Sequence, residues 1–357
     1  MWRAFDVLAG VHTSKTLHKM AEEGCARVSG DYDERDVRVR PGRGSRPRTK
    51  IRPTHDNAAT AVVVAVDRGR YTCLLTEDDD LRVTAMRARE LGRRSVVVGD
   101  RVGLVGDISG RDGSLARIVR LDERTTVLRR TADDDDPVER VIVANAHQLG
   151  IVTAVAEPEP RPRLIDRCLV AAYDAGLEPL LCVTKADLAD PSPLLASYAP
   201  LGIATVVTAL GADLDPLRER LRGRWSVLVG HSGVGKSTLV NELVPGADRT
   251  IGAVNVVTGR GRHTSASAVA LPLPAGGWVI DTPGIRSFGL AHVDPRHLVH
   301  AFPDLDQETE RCPRGCKHSA DEPECALDDA VKEGRVDRVR LDSFRRLLAS
   351  RERQRGD

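Results

Sequence analysis

Apolar residues recur with two different periods along this chain, and the change of period divides it. Between residues 60 and 121, short runs rich in Val, Leu and Thr (61–66, 71–75, 81–84, 95–98, 101–105, 116–121) alternate with turns such as Asp67-Arg68-Gly69 and Arg111-Asp112-Gly113. Five or so strands in about 60 residues predict a small closed barrel of the OB type. Beyond an acidic stretch from Asp133 to Asp136, strands at 149–155, 179–184, 203–208, 225–230 and 277–280 alternate with helices at 164–175, 214–221 and 236–243. That alternation implies βαβ units and a mostly parallel sheet. After about residue 290, helical spacing over 328–354 with abundant Arg predicts one or two exposed helices.

Before residue 58 no apolar period is sustained. Residues 34–53 hold eight Lys or Arg against two acids, with Pro and Gly interspersed, and read as a flexible basic arm. The first 30 residues differ again in composition and suggest no function. The expected organisation is a basic arm (1–57), an OB-type RNA-binding barrel (58–125), an α/β domain (126–289) and a helical, cysteine-bearing domain (290–357).

A length of 357 residues and a 41% hydrophobic fraction suit several globular domains. The formal net charge of +1 announces no nucleic-acid partner, so any such signal is local. No run of about 18 apolar residues occurs and no signal-peptide pattern opens the chain, so a cytoplasmic protein without a membrane partner is expected. Of seven cysteines, Cys312, Cys316 and Cys325 crowd around His318, a set suited to a metal rather than to disulfides. Cys73 and Cys182 lie in apolar runs and read as small core residues.

Gly230-His231-Ser232-Gly233-Val234-Gly235-Lys236-Ser237-Thr238 carries the chemistry most plainly. Glycines at this spacing let backbone N–H groups curl around a phosphate at a helix N-terminus. Lys236 would reach the β- and γ-phosphates, and Ser237 would ligate Mg²⁺. The loop does not by itself choose the base. Thr184-Lys185-Ala186-Asp187, following an apolar strand, resembles the Asn-Lys-x-Asp signature of GTPases, in which the Asp accepts two guanine N–H groups that adenine lacks. Thr184 stands where Asn is usual and offers a shorter hydroxyl to tie this loop to the phosphate loop. Thr208-Ala209-Leu210 resembles the element that backs the base.

Asp281-Thr282-Pro283-Gly284 resembles switch II, with Asp281 holding Mg²⁺ through water and Gly284 sensing the γ-phosphate. In the Gly- and Arg-rich stretch between the two motifs, Thr264 is the candidate switch I ligand of Mg²⁺, with Ser265 as the alternative. The base-reading motif thus precedes the phosphate loop, whereas a Ras-like chain begins with that loop. The order is that of a circularly permuted GTPase.

These motifs together with the Cys/His cluster resemble the ribosome small-subunit-dependent GTPase A family (RsgA, also called YjeQ), over roughly residues 58–330. The resemblance implies a multidomain protein: an OB-type barrel, a circularly permuted α/β P-loop GTPase domain and a C-terminal zinc-binding helical domain. It implies hydrolysis of GTP to GDP and phosphate, stimulated by the small ribosomal subunit, late in that subunit's maturation. A monomer contacting rRNA and other assembly factors is expected. Cys312, Cys316, His318 and Cys325 would hold one structural Zn²⁺. Ile285 stands where Ras-like enzymes place a water-positioning Gln, and His263 is similar to the switch I histidine to which the family's catalysis is ascribed. RNA contact is expected from the barrel face, the basic arm and the Arg-rich segment 335–353. The alternative is another permuted GTPase or P-loop NTPase whose RNA-binding role lies away from the small subunit.

Overall fold

The structure is a computed structural model that describes residues 55, 57–77, 81–92, 95–131, 139–247, 268–282, 288, 290, 293 and 298–352. Nearly all of the basic arm, His263, Thr264, Ser265, Gly284 and Ile285 lie outside the described residues.

Strands β1 (Ala59–Asp67), β2 (Arg70–Leu75), β3 (Arg82–Arg87), β4 (Arg101–Gly106) and β5 (Ala116–Leu121) pair in the order β1-β2-β3-β5-β4, and β4 pairs back to β1. The sheet therefore closes on itself, which removes its edges. Alternation decides what fills it: Ala61, Val63, Cys73, Val83, Val102 and Ile118 point inward and are fully buried. The expected strand at 95–98 is instead a junction with one isolated bridge, Val98 to Val143. Its polar groups are diverted by the buried Asp100, which accepts from Val97 N at 2.7 Å and from Arg124 Nε at 2.7 Å. Gly99 (φ 88°) is required here, since a Cβ would lie 1.9 Å from the Ala144 carbonyl oxygen.

Strands β6 (Val127–Thr131) and β7 (Glu139–Ala144) form an antiparallel pair. The acidic stretch from Asp133 to Asp136 thus falls between two paired strands and does not separate domains, although the run itself lies outside the described residues.

Strands β8 (Gln148–Ala154), β9 (Glu178–Thr184), β10 (Ala204–Val207), β11 (Trp225–Gly230), β12 (Val269–Pro272) and β13 (Trp278–Asp281) build the second sheet in the order β10-β9-β8-β11-β13-β12. All neighbours are parallel except β12 against β13. Burial on both faces explains the apolar run Leu149 to Val152 in β8, in which every residue, Gln148 and Thr153 included, is buried. Helices α1 (Pro162–Asp174), α2 (Ser192–Tyr198), α3 (Asp215–Leu221) and α4 (Lys236–Leu243) connect the strands. A single register pair, Ala65 with Val269, joins this sheet to the barrel.

Helices α5 (Pro303–Thr309), α6 (Ala326–Lys332) and α7 (Arg338–Glu352) follow. The expectation of exposed C-terminal helices fails for α7. Leu341, Phe344 and Leu347 are fully buried in one core with Ile165, Cys168 and Leu169 of α1, and the Phe302 ring sits 5.1 Å from Tyr173 and 5.3 Å from Phe344. Each such side chain contributes roughly 1.5–3 kcal/mol on burial, so the helix is bound to the α/β domain by its apolar stripe. No helix among the described residues is long and apolar enough to cross a membrane.

Candidate functional site

The strand that carries the phosphate-loop motif, β11, is fourth of its six in sequence yet central in the sheet, between β8 and β13. Its C-terminal end is where the direction of strand progression reverses, the position at which open α/β sheets bind ligands. The chain leaves β11 at Gly230, where a Cβ would meet the Val152 carbonyl oxygen at 2.5 Å. Gly233 and Gly235 take φ of 84° and 87°, the left-handed conformation that curls successive N–H groups toward one point. Helix α4 then begins at Lys236, so Ser237 and Thr238 occupy its first turn. His231 Nδ1 lies 2.8 Å from the Ser232 carbonyl oxygen, within the loop.

Lys236 Nζ reaches Asp281 Oδ1 at 2.5 Å, with both side chains largely buried. Residues 45 positions apart are thereby brought to one point, which the sequence motifs separately could not show. Thr282 Oγ1 donates to the Leu228 carbonyl at 3.1 Å and holds the end of β13 against β11.

Thr184-Lys185-Ala186-Asp187 sits at the end of β9, on the same side of the sheet. The buried Thr184 hydroxyl donates to the Val234 carbonyl of the phosphate loop at 2.6 Å, and the Thr153 carbonyl lies 3.2 Å from it. One hydroxyl proton serves one strong bond, and the shorter goes to the phosphate loop. Lys185 (φ 58°) donates its ammonium to the Glu157 carbonyl, and Ala186 N donates to Thr208 O at 3.2 Å. The loop is tied to three neighbouring segments, and Asp187 stands exposed at its tip. The sequence singles out Lys185, but its partner, the Glu157 carbonyl, leaves no local pattern by which to find it.

The second cluster lies in the C-terminal region. One ligand atom from each of Cys312, Cys316, His318 and Cys325 falls within 4.8 Å of all the others. His318 Nδ1 is 3.6, 3.4 and 3.9 Å from the three sulfurs in chain order. Bond lengths of about 2.3 Å to sulfur and about 2.0 Å to nitrogen give tetrahedral edges of roughly 3.5 Å, so the donor set and spacing fit one tetrahedral ion. Burial pushes the Cys316 thiol up to about 12. Burial also opposes ionisation of Cys325, but hydrogen bonds from His318 and from the Leu327 backbone outweigh it and bring that thiol down to about 7. By contrast Cys73, Cys168 and Cys182 are pushed up to about 12 by burial, as inert core thiols.

Arg345 braces the cluster from α7. It donates to the His318 carbonyl at 3.2 Å and makes a two-pronged pair with Asp328, 2.8 Å on each prong. That guanidinium holds the Asp328 carboxyl below the usual range. Arg335, Arg340 and Arg346 are likewise paired, with Glu308, Asp304 and Asp166. On the barrel the opposite holds. Arg70 of β2, Met86 of β3 and Arg117 of β5 stand in register across three strands on the outer face, and Arg82 opens β3 four residues before Met86, all exposed. Those three arginines make no ion pair among the described residues.

A family model described as RsgA GTPase matches residues 121–291. The chain is 45% identical over 218 residues to the small ribosomal subunit biogenesis GTPase RsgA of Ectopseudomonas mendocina, covering 58% of this chain and 63% of that protein. Against the protein of the same name from Pseudomonas aeruginosa it is 41% identical over 265 residues, 72% of this chain and 76% of that one. The matched part thus spans just under two thirds of the first relative and about three quarters of the second. Among solved structures, YjeQ from Thermotoga maritima superposes with a TM-score of 0.63 at 28% identity, over 82% of this chain and 98% of that one. YloQ, a circularly permuted GTPase, gives 0.60 at 23% identity over 84% and 96%, a likeness of fold.

Proposed function

The chain belongs to the RsgA GTPase family, and from that premise we propose that it hydrolyses GTP to GDP and phosphate while acting in maturation of the small ribosomal subunit. The observation that carries this reading is the Thr184 to Val234 hydrogen bond, which joins a loop able to read guanine to a loop able to hold phosphates.

In this reading the N–H groups of Gly230 to Thr238 cradle the phosphates and Asp187 accepts the two guanine donors. Lys236 exchanges its contact with Asp281 for the β- and γ-phosphate oxygens as nucleotide binds. The Ser237 hydroxyl and the Asp281 carboxylate are hard oxygen donors of the kind Mg²⁺ takes, with Thr264 as the switch I ligand. Bound with GTP, that ion neutralises charge on the β- and γ-phosphates. Gly284 senses the γ-phosphate, and His263 orients the attacking water in place of the Gln that Ile285 displaces. The Cys312, Cys316, His318 and Cys325 set holds one structural Zn²⁺ with no open position. RNA phosphates meet the barrel face at Arg70, Arg82 and Arg117, and the protein acts as a cytoplasmic monomer alongside other assembly factors.

Competition for a bound fluorescent GTP analogue tests the guanine half of this account. Excess GTP should displace it, whereas equal ATP should not. Asp187→Ala should narrow that gap by roughly 100-fold or more, since paired hydrogen-bond tests discriminate on that scale. ATP competing as well as GTP in the wild type would reject it.

A further inference from the structure

The cluster of Cys312, Cys316, His318 and Cys325 draws its members from two turns. Three lie within residues 312–318, and the fourth, Cys325, stands at the N-cap of α6. Both turns use left-handed backbone at residues other than glycine: His318 takes φ 60°, and Glu324, just before Cys325, takes 58°. Such conformations persist where the surroundings hold them.

Arg345 of α7 reaches both turns at once. Its Nε donates to the His318 carbonyl at 3.2 Å, and its two terminal nitrogens donate to the Asp328 carboxylate at 2.8 Å each. Asp328 lies in the first turn of α6, and its backbone N–H donates to the Cys325 carbonyl at 3.0 Å. One guanidinium thus ties the backbone of the histidine to the turn that carries the last cysteine. Its side chain is only 10% exposed, so these contacts are made largely out of water. The Asp328 carboxylate first, and the Cys325 thiol after it, favour its charge. A cation therefore stands beside a set whose three thiolates outweigh the charge of one divalent ion. The fork is presented from a fixed support, since Leu341, Phe344 and Leu347 seat α7 in the core shared with Ile165 and Leu169 of α1.

We propose that Arg345 is a positioning residue for the zinc site: it clasps the two turns at the spacing one ion needs, offsets the excess thiolate charge, and so sets how tightly Zn²⁺ is retained. The inference rests on the zinc reading above. Groups that orient metal ligands from outside typically change affinity roughly 10- to 100-fold when removed. A planar fork with donors on three nitrogens does what a single ammonium cannot reproduce.

The test uses the full chain as wild type, Arg345→Ala, Arg345→Lys and Arg346→Ala. Zn²⁺ affinity is measured by competition against a chromophoric chelator, and the geometry around the ion by the absorption spectrum of the Co²⁺-loaded protein. Arg345→Ala should lose roughly 10- to 100-fold in Zn²⁺ affinity and show a shifted or weakened Co²⁺ band. Arg345→Lys should fall between Arg345→Ala and wild type. Arg346→Ala removes a contact between the same helix and Asp166, away from the cluster, so its affinity should stay close to wild type. Wild-type affinity in Arg345→Ala, or an equal loss in Arg346→Ala, would overturn the proposal. If Arg345→Ala fails to fold, a folded Arg345→Lys with unchanged affinity and Co²⁺ spectrum overturns it equally. A wild type that binds well under one Zn²⁺ per chain would instead overturn the zinc reading itself, and this inference with it.

Discussion

The outer face of the barrel and the C-terminal helical segment are both rich in arginine, and the structure uses the two sets in opposite ways. Arg335, Arg340, Arg345 and Arg346 are each paired with an acid inside the protein, and Arg340 and Arg346 also donate to the carbonyls of Pro200 and Ser197. Arg70 and Arg117 flank Met86 on the outer face, Arg82 lies four residues along the same strand, and none of the three makes an ion pair among the described residues. A run of positive charge therefore does not mark a phosphate-binding surface until its counter-charges are known. Asp166, Asp304 and Asp328 turn the C-terminal arginines into clasps; on the barrel Arg120 pairs with Asp122 at 2.7 Å, whereas Arg70, Arg82 and Arg117 make no ion pair among the described residues.

Among the C-terminal arginines, Arg346 should show the largest effect. Its removal leaves the Asp166 carboxylate, 5% exposed, without its charge partner. Because Arg346 is itself 38% exposed, we expect a loss of about 2 kcal/mol in urea unfolding for Arg346→Ala, short of the ~3–5 kcal/mol for a fully buried pair. A loss below about 0.5 kcal/mol would make this clasp an ordinary surface charge.

Arg70→Ala with Arg117→Ala should do the reverse. Stability should stay within about 0.5 kcal/mol of wild type, while affinity for the small subunit falls and its logarithmic salt dependence flattens by about 2, one unit for each phosphate contact. An unchanged salt slope would remove these residues from the RNA surface. The smallest effect concerns pH. Because Arg345 holds the Asp328 carboxyl below its unfolded value, the stabilisation is complete at neutral pH and is lost as pH falls through the lowered folded-state pKa. The stability gap between wild type and Asp328→Asn should therefore be full at pH 7 and should close below about pH 4. A gap that does not vary with pH would sever Asp328 from Arg345.

The motifs with backbone logic were legible from sequence because each is local. The glycine spacing of 230–235, the strand that precedes Asp187 and the crowding of three cysteines around His318 all lie within short windows. What escaped was long-range or polar. Strand β12 is four residues ending in Pro272, too short to show a period. The β6 and β7 pair flanks an acidic run that resembles a linker, and α2 is hidden by Pro191 and Pro193 at its start. The grip of Arg167 on Phe288 and that of Arg345 on His318 both end on backbone carbonyls, which leave no trace in side-chain chemistry. The C-terminal helix was misjudged for a related reason: its arginines dominate the composition, while Leu341, Phe344 and Leu347 decide the packing.

We propose that a guanine-reading loop and a phosphate loop, joined through Thr184, form a GTPase site that the small subunit stimulates. Phosphate release from GTP, measured with and without purified small subunits for wild type and His263→Ala, tests it most directly. Wild-type turnover should rise on adding subunits, and His263→Ala should bind GTP yet lose that rise. Equal wild-type rates with and without subunits would contradict the claim.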